Sequence, residues 1–329
     1  MRAAVVLSCG NPPDLRTVPA PEVAEGESLV QVTAAPITPL DVLCASGTSY
    51  FGQPALPYIP GVQGVGKLTD GTRVWFPTQA GMRPGDGSFA DLCAVPTTDL
   101  VPIPDGTRDE TAAALGLSAV AAWMALTWRA ALRPGEQVLV LGAGGTVGQV
   151  AVQAARLLGA RRVVAVCRSP HSQALATKNG ADAVVPLHPD DTPDTLTPRL
   201  RQALDGLADV VIDPVFGIPA TAAAQVLALG ARIVNLGSAA AESATFTSAT
   251  LRGNTASLLG YTNNALTPTQ RHTALTEIFN HAATGALSVD HTLTPLADIA
   301  PAWTSQATGT TPRRIVVQLS DVPTPPSVP

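Results

Sequence analysis

Hydrophobic positions change their rhythm along the 329-residue chain. Up to about residue 110 they come in short runs, at 3–7, 28–34, 64–68, 73–76 and 89–95, set apart by proline and glycine. Helical spacing is scarce there, so this part predicts a β-rich unit with long loops. From 110 to 132 an apolar helical stretch follows, broken at Gly116. Beyond it, runs of Val, Ile, Leu and Ala at 137–141, 162–167, 183–185, 208–213, 231–236 and 256–260 alternate with helical segments at 147–158, 172–179, 194–204 and 219–228. Runs that are apolar on both faces and separated by helices predict a doubly wound parallel sheet of the α/β class. After Tyr261 the pattern stops. A helix is expected at 269–284, and a strand at 313–319 that rejoins the first unit.

This gives a substrate unit of 1–112 and 265–322, a dinucleotide-type unit of 113–264, and a flexible, proline-rich tail of 323–329. Composition narrows the picture further. Hydrophobic residues make up 46% and charged residues 14%, which excludes disorder over most of the length. The net charge of −5, with basic residues scattered, argues against nucleic acid as a partner. The alanine-rich stretch 112–127 is shorter than the roughly 20 apolar residues of a bilayer span, so a buried helix is expected and no membrane. The first apolar run is too short for a signal-peptide core. Cys9, Cys44, Cys93 and Cys167 form no Cys-x-x-Cys pair, which fits reduced thiols in a cytoplasmic protein.

The strongest chemical signal is Val138-Leu-Val-Leu-Gly142-Ala-Gly-Gly145-Thr-Val-Gly148, a buried strand passing through a glycine turn into a helix. Glycines let the backbone approach a pyrophosphate, and the helix N-terminus offers N–H groups. The spacing is G-x-x-G-x-x-G, since Val147 stands where the strict G-x-G-x-x-G requires glycine. An NAD site usually ends its second strand with a carboxylate for the ribose 2′-hydroxyl. Here that strand ends Val166-Cys167-Arg168-Ser169. A guanidinium and a hydroxyl suit a 2′-phosphate, which points to NADPH; a solvated surface arginine is the other reading.

Across nearly its whole length the chain resembles the medium-chain dehydrogenase/reductases. The resemblance is carried by Ser46-Gly47, Leu56-Pro-Tyr-Ile-Pro60-Gly61, Gly71-Thr-Arg-Val-Trp75-Phe76, Gly87-Ser-Phe-Ala-Asp-Leu92, the helix from Ala112, Asp213-Pro-Val-Phe-Gly217 and Asn235-Leu-Gly237-Ser238, in that order. It implies a Rossmann sheet inserted into a GroES-like β-rich substrate domain, and a homodimer. Zinc-dependent members carry a cysteine and a Gly-His-Glu in the first domain. This chain has Thr38 and Gly61-Val62-Gln63 there, and its five histidines all lie beyond residue 170, so no metal is expected.

The resemblance is therefore to the zinc-free branch, the quinone oxidoreductases and enoyl reductases. That branch passes hydride from NADPH to a quinone or an activated C=C bond, a small-molecule acceptor that needs only hydrogen-bond donors and a proton. It implies Tyr50, with a one-residue ambiguity to Ser49, as proton donor, a loop tyrosine packed by its ring being the other reading; Thr38 as a contact to substrate or ribose; and Asp41 as an orienting carboxylate, with proton transfer as its alternative. It places the backbone of Thr146 and Val147 at the pyrophosphate, Val215, Leu236 and Tyr261 near the nicotinamide, and Arg314 near the cofactor, with a solvated strand-end arginine as the alternative. Two rivals stay open. One is a dedicated biosynthetic enoyl reductase or ring-forming enzyme on a polyketide-like substrate. The other is a non-catalytic NADPH-binding protein on the same fold.

Overall fold

The computed structural model describes residues 1–319, so the expected tail of 323–329 lies outside the described residues. The strands, in chain order, are β1 (Arg2–Val5), β2 (Asp14–Thr17), β3 (Glu27–Pro36), β4 (Gln63–Lys67), β5 (Arg73–Pro77), β6 (Leu92–Pro96), β7 (Val101–Pro102), β8 (Gln137–Val140), β9 (Arg162–Cys167), β10 (Ala183–Pro186), β11 (Ala208–Asp213), β12 (Leu227–Asn235), β13 (Ser257–Gly260), β14 (His291–Pro295) and β15 (Arg314–Gln318). The helices are α1 (Pro39–Ser46), α2 (Asp109–Met124), α3 (Thr146–Leu157), α4 (Pro170–Lys178), α5 (Pro193–Leu204), α6 (Gly217–Ala224), α7 (Ser248–Gly253), α8 (Pro268–Ala283) and α9 (Ile299–Thr308).

Two compact units share these elements: residues 1–116 with 282–284 and 290 onward, and residues 117–281 with 285–289. The second boundary thus falls at 281, where the sequence suggests 264. The physical reason is α8, whose Ala274, Leu275, Ile278 and Phe279 are buried and whose Glu277 accepts a 2.8 Å bond from Trp123 Nε1 in the second unit. The first boundary falls at Gly116, not 112. Gly116 interrupts α2 at φ 35, ψ −136, and a Cβ there would stand 2.0 Å from Gln63 Oε1. The helix from Asp109 to Arg129 is long and apolar enough to cross a membrane, but 67% of its apolar window is buried within the protein, as a core helix is.

In the first unit β3 is the organising strand. It pairs antiparallel with β15, β4 and β6, within a sheet ordered β14-β15-β3-β4-β5-β7. The strand expected at 313–319 therefore does return to the N-terminal unit, Val316 opposite Pro36. Its inward residues, with Phe76, Phe89, Val95 and Trp303, form one core; Phe89 and Trp303 meet edge to face at 6.4 Å. Helix α1 is the element that hydrophobic spacing fails to predict. It is eight residues long and buries only Asp41, Cys44 and Ala45, so local capping defines it more than an apolar stripe does.

In the second unit the strands run parallel in the order β10-β9-β8-β11-β12-β13. The order is that of the classical dinucleotide-binding sheet, with β8 as its first strand. Val138, Leu139, Val140 and Leu141 are fully buried because helices cover both faces, which is why the strand reads as a continuous apolar run.

One ion pair ties the ends of two strands. Arg232 on β12 binds both carboxylate oxygens of Glu136, just before β8, at 2.9 and 2.8 Å, and both side chains are nearly buried. Burial pushes the Glu136 carboxyl up, but the bonds from Arg232 and the Arg133 N–H, with both positive charges, hold it below its usual 4.5. A depressed carboxylate contributes stability above its unfolded pKa and loses it as pH falls through the folded value. Glu136→Gln should therefore cost about 2 kcal/mol at neutral pH. The gap to the wild type should close below pH 4.5, measured by urea unfolding across pH. A gap that persists unchanged in acid would assign the loss to packing instead.

Candidate functional site

Every loop of the second unit that holds a candidate residue leaves the carboxyl end of a parallel strand, where open α/β sheets bind ligands. The glycine turn follows β8, Arg168 follows β9, and Val215, Leu236 and Tyr261 follow β11, β12 and β13. The strand order reverses beside β8, which makes Gly142 the centre of the switch point.

The glycines have distinct tasks. Gly142 adopts φ 61, and a Cβ on it would stand 2.6 Å from Val215 Cγ1. Gly148 lets α3 cross the turn, since a Cβ there would be 2.4 Å from the Gly142 carbonyl oxygen. Gly145 is the N-cap of α3 and supplies no side-chain bond; a Cβ on it would meet nothing nearer than 3.6 Å. The N–H groups of Thr146, Val147 and Gly148 have no acceptor within the helix, so they face this opening as an anion cradle backed by the helix dipole. Two supporting residues escape the motif reading. A Cβ on Gly144 would lie 2.4 Å from Ser172 Oγ, and the buried Gln149 donates from Nε2 to the Gly144 carbonyl at 3.0 Å.

Arg168 is exposed, and among the described residues no carboxylate lies within ion-pair reach of it. Ser169 has a structural task. It caps α4, accepting from the Ser172 N–H at 3.1 Å and sharing a 2.9 Å hydroxyl bond with Ser172. It stiffens the loop that presents Arg168.

Leu236 is half-buried, and its N–H donates to the Asp213 carbonyl at 2.8 Å. The Tyr261 hydroxyl donates to Asn263 Oδ1 at 2.7 Å, and burial pushes it far above the usual tyrosine range. Sequence reasoning quotes Asp213 and Asn235 within turns that carry the resemblance but gives neither side chain a role. Their signal is a carboxylate and an amide that end two adjacent buried strands.

In the first unit Thr38, Asp41 and Arg314 are brought together around the start of α1. The Thr38 hydroxyl donates to Asp41 Oδ2 at 2.6 Å and accepts from the Asp41 N–H at 3.2 Å; the Thr38 N–H returns a bond to Oδ2 at 2.8 Å. This is a capping box, with Pro39 in the first turn. The Val62 N–H donates to Asp41 Oδ1 at 2.8 Å. Burial pushes the Asp41 carboxyl above its usual range, against these bonds and the charge of Arg314. Thr38 therefore has no proton left to give and one lone pair left to receive.

Arg314, expected beside the cofactor or as a solvated strand end, is 7% exposed and donates from Nη1 to the Ile37 carbonyl at 3.0 Å. Burial pulls its guanidinium down to about 10, the Asp41 charge opposing, so it stays protonated at neutral pH. Its place is in the wall of this buried corner, in the unit without the glycine loop. Tyr50 lies elsewhere on the loop after α1, 76% exposed, its ring 4.2 Å from that of Phe51.

The positions that the resemblance compares with zinc ligands carry other chemistry. Val62 is aliphatic and buried, and Gln63 accepts from Trp75 Nε1 at 3.2 Å. Among the described residues no group of three or more His, Cys, Asp and Glu side chains stands close enough to share an ion.

The family described as zinc-binding dehydrogenase matches residues 146–280, a stretch that contains neither Thr38 nor Val62. The chain is 30% identical over 342 residues to a component of the phenolphthiocerol/phthiocerol polyketide synthase of Mycobacterium tuberculosis, a match that spans 97% of this chain and only 15% of that one. It is 36% identical over 200 residues to the quinone oxidoreductase of Rattus norvegicus, covering 56% of this chain and 58% of the relative. Among solved structures, the quinone oxidoreductase of Thermus thermophilus, also solved as its complex with NADPH, superposes with a TM-score of 0.77 at 31% identity, over 97% of this chain and all of that one.

Proposed function

Because the chain belongs to the medium-chain dehydrogenase/reductases, as a member of the quinone oxidoreductase-like family, we propose that it is an NADPH-dependent reductase of a quinone or an activated C=C bond that works without a metal. The observation that carries the choice of coenzyme is the end of β9, where an exposed guanidinium with no carboxylate partner among the described residues stands in place of an acid. The relative from Thermus thermophilus, solved with NADPH, supports it.

The residues fit the cofactor. The N–H groups of Thr146 and Val147 would hold the pyrophosphate, and Arg168 the 2′-phosphate. Val215, Leu236 and Tyr261 would line the nicotinamide side. NADPH, when bound, supplies the hydride. Tyr50 would deliver the proton, and Thr38 would accept a hydroxyl hydrogen from ribose or substrate, with Asp41 fixing its rotamer. The residues do not fit zinc, because the Thr38 hydroxyl is committed to Asp41 and Val62 offers no ligand atom.

A dedicated enoyl reductase or ring-forming enzyme on a polyketide-like substrate is the second reading. It is favoured by the match to the polyketide synthase component across 97% of this chain. We also propose a cytoplasmic homodimer. The exposed edge strand β13, with Leu258 44% exposed, supports the dimer, and light scattering at micromolar protein would test it.

The deciding experiment follows oxidation of NADPH and NADH, by loss of reduced-nicotinamide absorbance, with p-benzoquinone, phenanthrenequinone and a cyclic enone, alongside metal analysis. Preferential NADPH consumption by quinones without stoichiometric zinc supports the proposal. Turnover of the enone alone favours the biosynthetic reading. NADPH binding without turnover of any acceptor points to a non-catalytic protein, and bound zinc at one per chain would overturn the metal-free assignment.

A further inference from the structure

Asp213 is fully buried at the end of β11, and nothing in the proposed reduction uses its carboxylate. Its Oδ1 accepts from the N–H groups of Val215 at 3.1 Å and Phe216 at 2.7 Å, and Asn235 Nδ2 stands 3.5 Å from Oδ2. Burial pushes the carboxyl above its usual range in spite of these bonds. A buried carboxylate is costly, and this one is spent on a single turn.

That turn is strained. Phe216 sits at φ 58, ψ −157, a region that residues with side chains rarely occupy. The loop after β12 folds over it, with the Ala240 N–H bonded to the Val215 carbonyl at 2.8 Å. The outcome is a fixed place for Val215, whose Cγ1 lies 2.6 Å from where a Cβ of Gly142 would stand. In a sheet of this order the pyrophosphate lies at the turn after β8 and the 2′ end of the adenosine at β9. The β11 side is left for the nicotinamide half.

We propose that Asp213 is a positioning residue: by accepting the Val215 and Phe216 N–H groups it holds a strained turn that seats Val215 against Gly142 and fixes the nicotinamide half of the cofactor. The assignment rests on the dinucleotide-binding reading above. It predicts that the adenosine half binds independently of this turn, and that the need for Asp213 arises from the strain at Phe216. In a Phe216→Gly background the same φ and ψ carry little cost, so the loss of Asp213 should matter less.

The test titrates wild type, Asp213→Ala, Phe216→Gly and the double variant with NADPH and with adenosine 2′,5′-bisphosphate, which has the 2′-phosphate and no nicotinamide. Asp213→Ala should weaken NADPH about 30-fold and leave the fragment within about threefold. Phe216→Gly alone supplies the reference, and in that background Asp213→Ala should cost only about threefold in NADPH affinity relative to it. Should Asp213→Ala fail to fold, Asp213→Val, which fills the buried strand end and offers no acceptor to either N–H group, carries the same comparison. Equal loss of both ligands, an additive double variant, or unchanged NADPH binding would overturn the inference while the dinucleotide reading stands. If wild type binds neither ligand, the dinucleotide reading falls and this inference with it.

Discussion

Arg168→Asp should reverse the coenzyme preference, lowering kcat/KM for NADPH by about 100-fold or more while improving it for NADH. The argument is electrostatic and local. A guanidinium that meets a 2′-phosphate makes charge-assisted hydrogen bonds, each roughly twice as strong as a neutral one. Asp at the same place repels that phosphate and accepts from a ribose diol, which is how an acidic strand end selects NAD. The surrounding structure should tolerate the change, because Arg168 is exposed and forms no ion pair among the described residues that would be broken. Ser169 supplies the control. Its hydroxyl caps α4, so Ser169→Ala should cost about 1 kcal/mol of stability. Its effect on the NADPH-to-NADH ratio should stay below tenfold, about 1.4 kcal/mol. Steady-state kinetics with both coenzymes decides the matter; a ratio unmoved by Arg168→Asp would make the residue a solvated surface arginine.

What the sequence made legible was whatever repeats or crosses the core. The runs at 162–167 and 208–213 coincide with β9 and β11 because both strands are buried on two faces. The glycine turn was legible because Gly142 and Gly148 are required by contacts inside the turn itself, at 2.6 and 2.4 Å from neighbouring atoms. Short elements with few buried residues were not. Helix α1 escaped the hydrophobic pattern, although Thr38-Pro-Leu-Asp41 is a capping box that a search for N-terminal signals would find. That motif also revises how the candidate pair works, since Thr38 and Asp41 consume one another's hydrogen bonds before any ligand arrives.

Arg314 and Asp213 show why side-chain roles were harder than elements. Arg314 begins a strand after a polar stretch, which suggests a solvated end, and only the pairing of β15 with β3 turns it inward. Asp213 ends a strand as many carboxylates do, and its importance lies in backbone N–H groups two and three residues on. Neither fact has a periodic or compositional trace. Both belong to tertiary contacts between segments distant in sequence, or to backbone angles that residue type alone does not disclose.

Tyr50→Phe should lower turnover of an enone by about 100-fold or more and that of a quinone by less than about threefold. Of the tyrosines, Tyr261 donates its hydrogen to Asn263, and Tyr58 is 6% exposed with its hydroxyl enclosed and without a hydrogen-bond partner among the described residues. Thr38 is bound to Asp41. Tyr50, 76% exposed and without a hydrogen-bond partner among the described residues, keeps its proton available. The two acceptors differ in what they ask of that proton. After hydride addition to an enone, the enolate is completed by protonation at carbon, a step that a positioned acid accelerates. A hydroquinone oxyanion takes its proton at oxygen, and water supplies it readily. Comparing kcat for a cyclic enone and p-benzoquinone in both proteins, with the solvent isotope effect on the enone, separates the cases. A selective loss on the enone assigns the acid to Tyr50. Equal rates on the enone would leave Tyr50 as a ring packed on Phe51 and give the proton to water.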